Sequence, residues 1–308
     1  MLRFTESDVR RLLPMRETIE RLRVVFTDYA SGRAQNQPRR RLVLPGGATL
    51  HQLAAAWGGY FGAKVYSTHV KHGAYFTVLL YDAETAKPLA EFEANHLGQI
   101  RTGAVSGLAA DLLLPQGQRV DAACIGTGFQ AHSQVAALAA VRTLSSLKVY
   151  SRSAEKRQNF AVEMRELLGA ATEIREAESA EAAAEGAKVL ITATWAKDPV
   201  IEASAVAKGT LVLAMGSNQP QRRELPAELV RNNIVVVEDT EACRVEAGDL
   251  LLAFDEADWS RVVELRSLVA GAPPPATENT VVFKSVGMGL EDVGAAALIY
   301  ERAVKDHS

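Results

Sequence analysis

The chain is poor in the residues that several function classes need. Aromatic side chains make up only 6% of its 308 residues. The 34 Lys and Arg are balanced by 37 Asp and Glu, which leaves a net charge of −3. Without a basic excess or stacking rings, a dedicated nucleic-acid binder is excluded. Two cysteines, Cys124 and Cys243, cannot form a disulfide framework. No CxxC pair offers a zinc framework, so no metal is expected. Apolar runs stay well short of the roughly 18 residues of a membrane span, so no membrane partner is expected either. Residues 1–8 lack the apolar core of a signal peptide, which makes the cytoplasm the expected compartment. What remains, 48% apolar and 23% charged residues, is ordinary globular composition with chain enough for two domains.

The first 30 residues read as helix, with Ser7 or Asp8 as N-cap and Pro14 restarting it at a first turn. Ile19, Leu22, Val25 and Tyr29 recur at helical spacing and give one apolar face. The basic loop Gln37-Pro38-Arg39-Arg40-Arg41 follows. Strands of a mostly antiparallel or mixed sheet are predicted over 50–57, 61–68, 74–81 and 87–93, then a helix over 99–114 ended by Pro115. From 118 onward apolar strand runs alternate with helical stretches. The strands are predicted at 119–125, 147–150, 189–194, 210–215 and 234–237, with an exposed Ala/Glu-rich helix over 176–185. Such alternation implies a doubly wound parallel sheet, and nearly all-apolar strands fit burial on both faces. Pro273-Pro274-Pro275 marks a further boundary. A last helix, about 289–304, follows the run 280–283. Residues 1–115 look like a separate α+β domain.

Gly126-Thr127-Gly128-Phe129-Gln130-Ala131 carries the sharpest local chemistry. It follows a buried strand and opens a helix. Gly126 allows a tight turn, Gly128 lets backbone N–H groups approach a pyrophosphate, and Ala131 lets helix and strand pack closely. The helix N-terminus then faces the ligand's negative charge. At the tip of the next strand stands Tyr150-Ser151-Arg152-Ser153, with no carboxylate to accept from an adenine ribose. Arg152 suits a 2′-phosphate, and Ser151 and Ser153 can donate to it, so NADP(H) is preferred and NAD(H) remains possible. Thr194, ending the third strand, is placed to meet the cofactor at the carboxyl edge of the sheet.

Further motifs are specific in combination: Gln37-Pro38-Arg39-Arg40, Gly62-Ala63-Lys64, Ile100-Arg101-Thr102-Gly103-Ala104, Gly216-Ser217-Asn218-Gln219-Pro220 with Glu224-Leu225, Glu246-Ala247-Gly248-Asp249-Leu250, and Val282-Phe283-Lys284-Ser285 ending in Glu291-Asp292. With the phosphate loop they resemble the ornithine cyclodeaminase/mu-crystallin family over nearly the whole chain. The resemblance implies a Rossmann domain, residues 116–283, inserted in an α+β substrate-binding and dimerisation domain built from 1–115 and 284–308. It implies a homodimer, a nicotinamide cofactor and a small amino, imino or keto acid as substrate. It also implies that Arg40, Lys64 and Arg101 converge on the substrate carboxylate, through bidentate guanidinium contacts and a compact ammonium charge. Thr77, Arg101, Ser217 and Ser285 match positions near the cofactor, with Lys284 beside them. Arg222 stands where the family often has Lys near the site. Glu291 and Asp292 are explained by the favourable dipole at a helix start.

One departure bears on the reaction. Cyclodeaminases resemble one another in an acid at the position of Asn218. Asn has no titratable proton near neutral pH, so it orients a nitrogen or a water and does no acid–base work. With Lys64 and Asn218 as catalytic candidates, the expected reaction is reduction of an imine or keto acid, or oxidation of an L-amino acid. Ornithine cyclodeamination is the second reading, and a non-enzymatic NADPH-dependent binder the third. The scattered histidines suggest no base.

Overall fold

The computed structural model describes residues 1–305. Two compact units divide the chain, Met1–Val105 with the stretch from Gly287 onward, and Ser106–Val286. The first contains β1 (Leu2–Phe4), α1 (Glu6–Leu12), α2 (Met15–Ala30), β2 (Gln35–Asn36), β3 (Arg40–Val43) and β4 (Ala48–Trp57). It continues with β5 (Tyr60–His69), β6 (Gly73–Asp82), β7 (Pro88–Glu93) and α3 (Asn95–Leu113). The strands form one sheet in the order β1-β7-β6-β5-β4-β2, with β3 also on β4. All pairs are antiparallel except β1 with β7.

The start of the chain differs from the single helix expected. Strand β1 precedes α1, because its pairing partner β7 lies far along the chain and leaves no local signal. Thr5, rather than Ser7 or Asp8, caps α1, and Asp8 returns a bond to the Thr5 backbone in a capping box. Pro14 sits at the N-cap of α2 rather than inside its first turn. The apolar face of α2 is buried through Ile19, Leu22, Val25 and Phe26.

The second unit contains β8 (Arg119–Ile125), α4 (Phe129–Val141), β9 (Thr143–Tyr150), α5 (Ala154–Leu168), β10 (Glu173–Glu176), α6 (Ala180–Ala184) and β11 (Val189–Thr192). After these come β12 (Leu211–Ala214), α7 (Ala227–Arg231), β13 (Ile234–Val237), α8 (Thr240–Glu246), α9 (Gly248–Leu251), β14 (Val263–Glu264), α10 (Leu265–Val269) and β15 (Val281–Lys284). Helix α11 (Gly289–Lys305) then belongs to the first unit, packing on α2 and β4. The eight strands are all parallel, in the order β10-β9-β8-β11-β12-β15-β13-β14. The chain winds outward from β8 through β9 to β10, then crosses to β11. The edge between β8 and β11 is therefore the topological switch point, where α/β sheets place their ligands. Strands β11, β12 and β15 are buried at every residue, as the apolar runs require.

Three expectations are corrected here. The stretch 176–185 is not one exposed helix: β10 ends in it, and α6 buries Ala180, Ala183 and Ala184. Pro273-Pro274-Pro275 lies inside the second unit and separates nothing, because β15 follows it into the middle of the sheet. The two units part within α3 rather than at Pro115, since that helix runs through Val105 without a break. No helix among the described residues is long and apolar enough to cross a membrane.

Arg142, its side chain 1% exposed, ties β9 to the end of α3. It pairs with Asp111 Oδ1 at 2.6 Å and donates to the carbonyls of Asp111 and Leu114 at 2.9 and 2.6 Å. Arg142→Ala leaves those acceptors uncompensated and should cost about 3 kcal/mol. Urea unfolding should show a lower midpoint at unchanged slope.

Candidate functional site

In the second unit, a cleft of about 980 Å³ opens at the switch point. Its floor is the turn after β8. Gly126 holds φ at +105°, and a Cβ there would run into the Ala193 carbonyl, so no other residue fits. The Gly126 N–H donates to the Tyr150 carbonyl at 2.9 Å, and Ala193 N–H to Ile125 O at 2.9 Å. These bonds fix the turn against both neighbouring strands. Gly128 caps α4 with no side-chain bond to the helix N–H groups, and open space surrounds its Cα. The first turn of α4 thus turns the positive end of its dipole toward whatever occupies the cleft. A dinucleotide pyrophosphate fits this cradle.

Of the residues expected at the cofactor, Gly126, Thr127, Gly128, Ser151, Arg152 and Thr194 line the cleft. Phe129 and Gln130 stand in the first turn of α4, and Ser153 caps α5 by accepting from the Lys156 N–H. The sequence reading missed Lys156, which stands one helical turn after Arg152 and also lines the cleft. Trp195, 66% exposed, forms another part of the wall, with the Arg222 guanidinium 4.8 Å from its ring centre. Ser217 and Ser285 are buried, and Ser285 donates to Glu238 rather than facing the cleft. Lys284 is likewise turned inward: Nζ lies 2.8 Å from Asp249 and donates to Ser217 O at 2.7 Å. Asn218 is half-buried in the turn after β12. Thr77, on β6, and Arg101 belong to the first unit.

That unit holds a second constellation. On β5, alternation buries Gly62, Lys64 and Tyr66 on one face, so Lys64 is not an exposed strand lysine. Its Nζ lies 2.7 Å from Asp292 Oδ1. Arg101, on α3, pairs with Glu291 at 2.5 Å and with Asp292 Oδ1 at 2.9 Å. Glu291 and Asp292 are fully buried, so helix capping does not explain them. Arg40 is exposed on β3, whereas its neighbour Arg39 turns inward. Arg39 donates to the Tyr66 hydroxyl and to Gly287 O, and its guanidinium stands 5.8 Å from the Tyr66 ring centre. Adjacent residues entering a strand point to opposite sides, and a run of three arginines gives no sequence cue to which one faces in. The cluster therefore holds Arg39, Lys64 and Arg101 against two carboxylates. One formal positive charge is left over, which suits an anionic ligand. The Cα of Gly287 lies against Arg101, where a Cβ would meet Nη1 at 2.6 Å.

Burial pulls the Lys64 ammonium down to about 7, with Arg101 and then Arg39 adding to the effect against Asp292. A lysine so placed holds or releases a proton near neutral pH. His51, stacked on Tyr66 at 4.2 Å, is pulled down to about 4 by burial and by Arg41, Arg39 and Lys64. It is therefore neutral at pH 7 and supplies no charge.

Comparisons with known proteins bear on this arrangement. The profile of the ornithine cyclodeaminase/mu-crystallin family matches residues 2–307. A ketimine reductase mu-crystallin of Mus musculus is 34% identical over 73% of this chain and 68% of its own. A delta(1)-pyrroline-2-carboxylate reductase of Bacillus cereus is 36% identical over 74% and 71%. The solved structure of the Thermococcus litoralis delta(1)-pyrroline-2-carboxylate reductase, in complex with NADH and L-proline, superposes with a TM-score of 0.93. It is 30% identical and covers 100% of this chain and 98% of that one.

The cradle at the switch point generates a direct expectation. Gly126→Ala forces a Cβ onto the Ala193 carbonyl at a positive φ, so the turn must open. Calorimetric titration should show dinucleotide affinity falling by about tenfold or more. Wild-type affinity in the variant would refute the cradle.

Proposed function

Because the chain belongs to the ornithine cyclodeaminase/mu-crystallin family, we propose that it is an NAD(P)H-dependent oxidoreductase acting on a small imino, keto or amino acid. The preferred direction is reduction of a cyclic imine such as pyrroline-2-carboxylate, or of a linear ketimine. The observation that supports this is a glycine turn leading into a helix N-terminus at the cleft of one unit and a three-cation cluster in the other, each suited to an anion. NADP(H) is the preferred cofactor. Arg152 and Lys156 line the cleft where a 2′-phosphate would sit, and no carboxylate stands at the tip of β9 to bind a free ribose hydroxyl. A nicotinamide dinucleotide held by the Gly126–Gly128 turn, Arg152 and Lys156 would supply the hydride for the imine carbon. Arg101 and Arg39 grip the substrate carboxylate and fix which face of the imine is presented. Lys64 Nζ supplies the proton that the nitrogen needs, and Asn218 orients that nitrogen or a water. Ornithine cyclisation with ammonia loss is disfavoured, because Asn218 has no proton to move.

Two further properties follow the family. The exposed apolar residues Leu42, Val43, Leu44 and Val70, near the β3 edge and the β5–β6 turn, suit a homodimer face. Free buried Cys124 and Cys243 are compatible with a reducing compartment, so we assign the protein to the cytoplasm.

Loss of absorbance at the nicotinamide band should follow addition of pyrroline-2-carboxylate, piperideine-2-carboxylate, or pyruvate with an amine. KM for NADPH should lie about tenfold or more below that for NADH. No cofactor consumption with any of these, while ornithine still yields proline and ammonia, would establish the cyclodeaminase reading instead. The reductive rate should fall as pH rises through about 7, because the protonated form of Lys64 is lost there. Lys64→Met should remove that limb together with most of the rate, and Lys64→Arg, which keeps the charge but cannot release a proton, should not restore it. A wild-type pH profile in Lys64→Met would show that another group carries the proton.

A further inference from the structure

Glu224 is fully buried in the second unit and holds the ends of two neighbouring strands at once. Its Oε1 accepts from the Thr194 N–H at 2.6 Å and the Thr194 hydroxyl at 2.7 Å. Its Oε2 accepts from the Gly216 N–H at 2.7 Å and the Thr192 hydroxyl at 3.0 Å. Thr194 lines the cofactor cleft, and Gly216 opens the Gly216-Ser217-Asn218 turn. One carboxylate therefore bridges the segments after β11 and β12. Gly216 has no side chain because a Cβ would fall on the Glu224 carboxyl group and the Thr194 carbonyl. Glu224 is itself held: Asp249 Oδ1 accepts from the N–H groups of Glu224 and Leu225 at 2.6 and 2.9 Å. Asp249 Oδ2 pairs with Lys284, whose Nζ also donates to Ser217 O. The network reaches the same turn from both sides.

We infer that Glu224 is a positioning residue that locks the Thr194 wall of the cofactor cleft to the Asn218 turn. Both would then move, or stay, together. The two backbone N–H donors are fixed and fall on different oxygens. Only a group with an acceptor at both positions satisfies them. Glutamine has the same shape but one oxygen, so its amide must face one N–H donor to donor. The inference rests on the cleft holding a nicotinamide dinucleotide, as proposed above.

The test uses the full chain, with NADPH affinity measured by fluorescence titration and turnover measured with pyrroline-2-carboxylate. Glu224→Gln should weaken NADPH by about tenfold or more, as expected when a buried N–H is left facing another donor, and should lower kcat as well. A loss of stability alone would leave both constants of the folded fraction unchanged, and that result would overturn the inference. Should Glu224→Gln fail to fold, Thr192→Val removes one donor from the same carboxylate. Thr192 is itself fully buried and is not part of the cleft wall. Thr192→Val should raise the NADPH dissociation constant about threefold to tenfold, and Thr192→Ser, which keeps the hydroxyl, should restore it. Wild-type NADPH affinity in Thr192→Val overturns the inference while leaving the cofactor reading intact. Failure of the unmodified protein to bind NADPH or NADH overturns both.

Discussion

Taking a lysine out of water is the constraint around which both units are organised. An uncompensated buried ammonium costs several kcal/mol, so each one must be met by carboxylates brought from elsewhere in the chain. Lys284, in the middle of the parallel sheet, is met by Asp249 from α9, with Glu224 beyond it. Lys64, on the inner face of the antiparallel sheet, is met by Asp292 from α11. These pairings specify long-range geometry that the apolar core alone would leave slack. The position of α11 in the first unit is fixed partly because Asp292 must reach both Lys64 and Arg101.

The two lysines have opposite fates. Lys284 has two carboxylates near it, and they hold its pKa above the usual lysine range despite complete burial. It stays charged, and its role is structural. Lys64 has one carboxylate and two guanidinium groups near it, so burial wins and brings it to about 7. A group poised there exchanges protons with little free-energy cost near neutral pH, which is what proton transfer to an imine nitrogen asks for. The same side chain becomes a scaffold or an acid through its neighbours: two carboxylates raise Lys284, whereas burial and two guanidinium groups outweigh Asp292 at Lys64.

This also explains which parts of the molecule were legible in the sequence. The phosphate cradle was, because strand, glycine turn and helix are contiguous, and each glycine has a local reason. Strands β8, β11 and β12 were too, from apolar runs that only Arg119 and Asp121, early in β8, interrupt. Strands β1 and β10 were not, since short strands owe their existence to distant partners. Arg39 could not be told from Arg40, because only the pleat of β3 decides which one faces inward. Glu291 and Asp292 read as ordinary first-turn acids of a helix, and their burial against Lys64 and Arg101 appears only once α11 is seated. Glu224 carried no signal beyond its place in a motif, since its work is done through backbone N–H groups that have no side-chain signature.

Net charge says little about ligand choice in such a molecule. The chain carries −3 overall, yet both proposed ligand sites are locally positive. In the cleft, the positive potential comes from the dipole end at the start of α4, which no count of ionisable residues records, together with Arg152 and Lys156. In the first unit it comes from three cations, Arg39, Lys64 and Arg101, set against two buried carboxylates. Burial strengthens the interactions within that cluster, while the surface acids that set the overall sign are screened within about 10 Å. Selectivity for a carboxylate and a phosphate is thus a property of where a few charges are buried, and a mildly acidic surface is no obstacle to it.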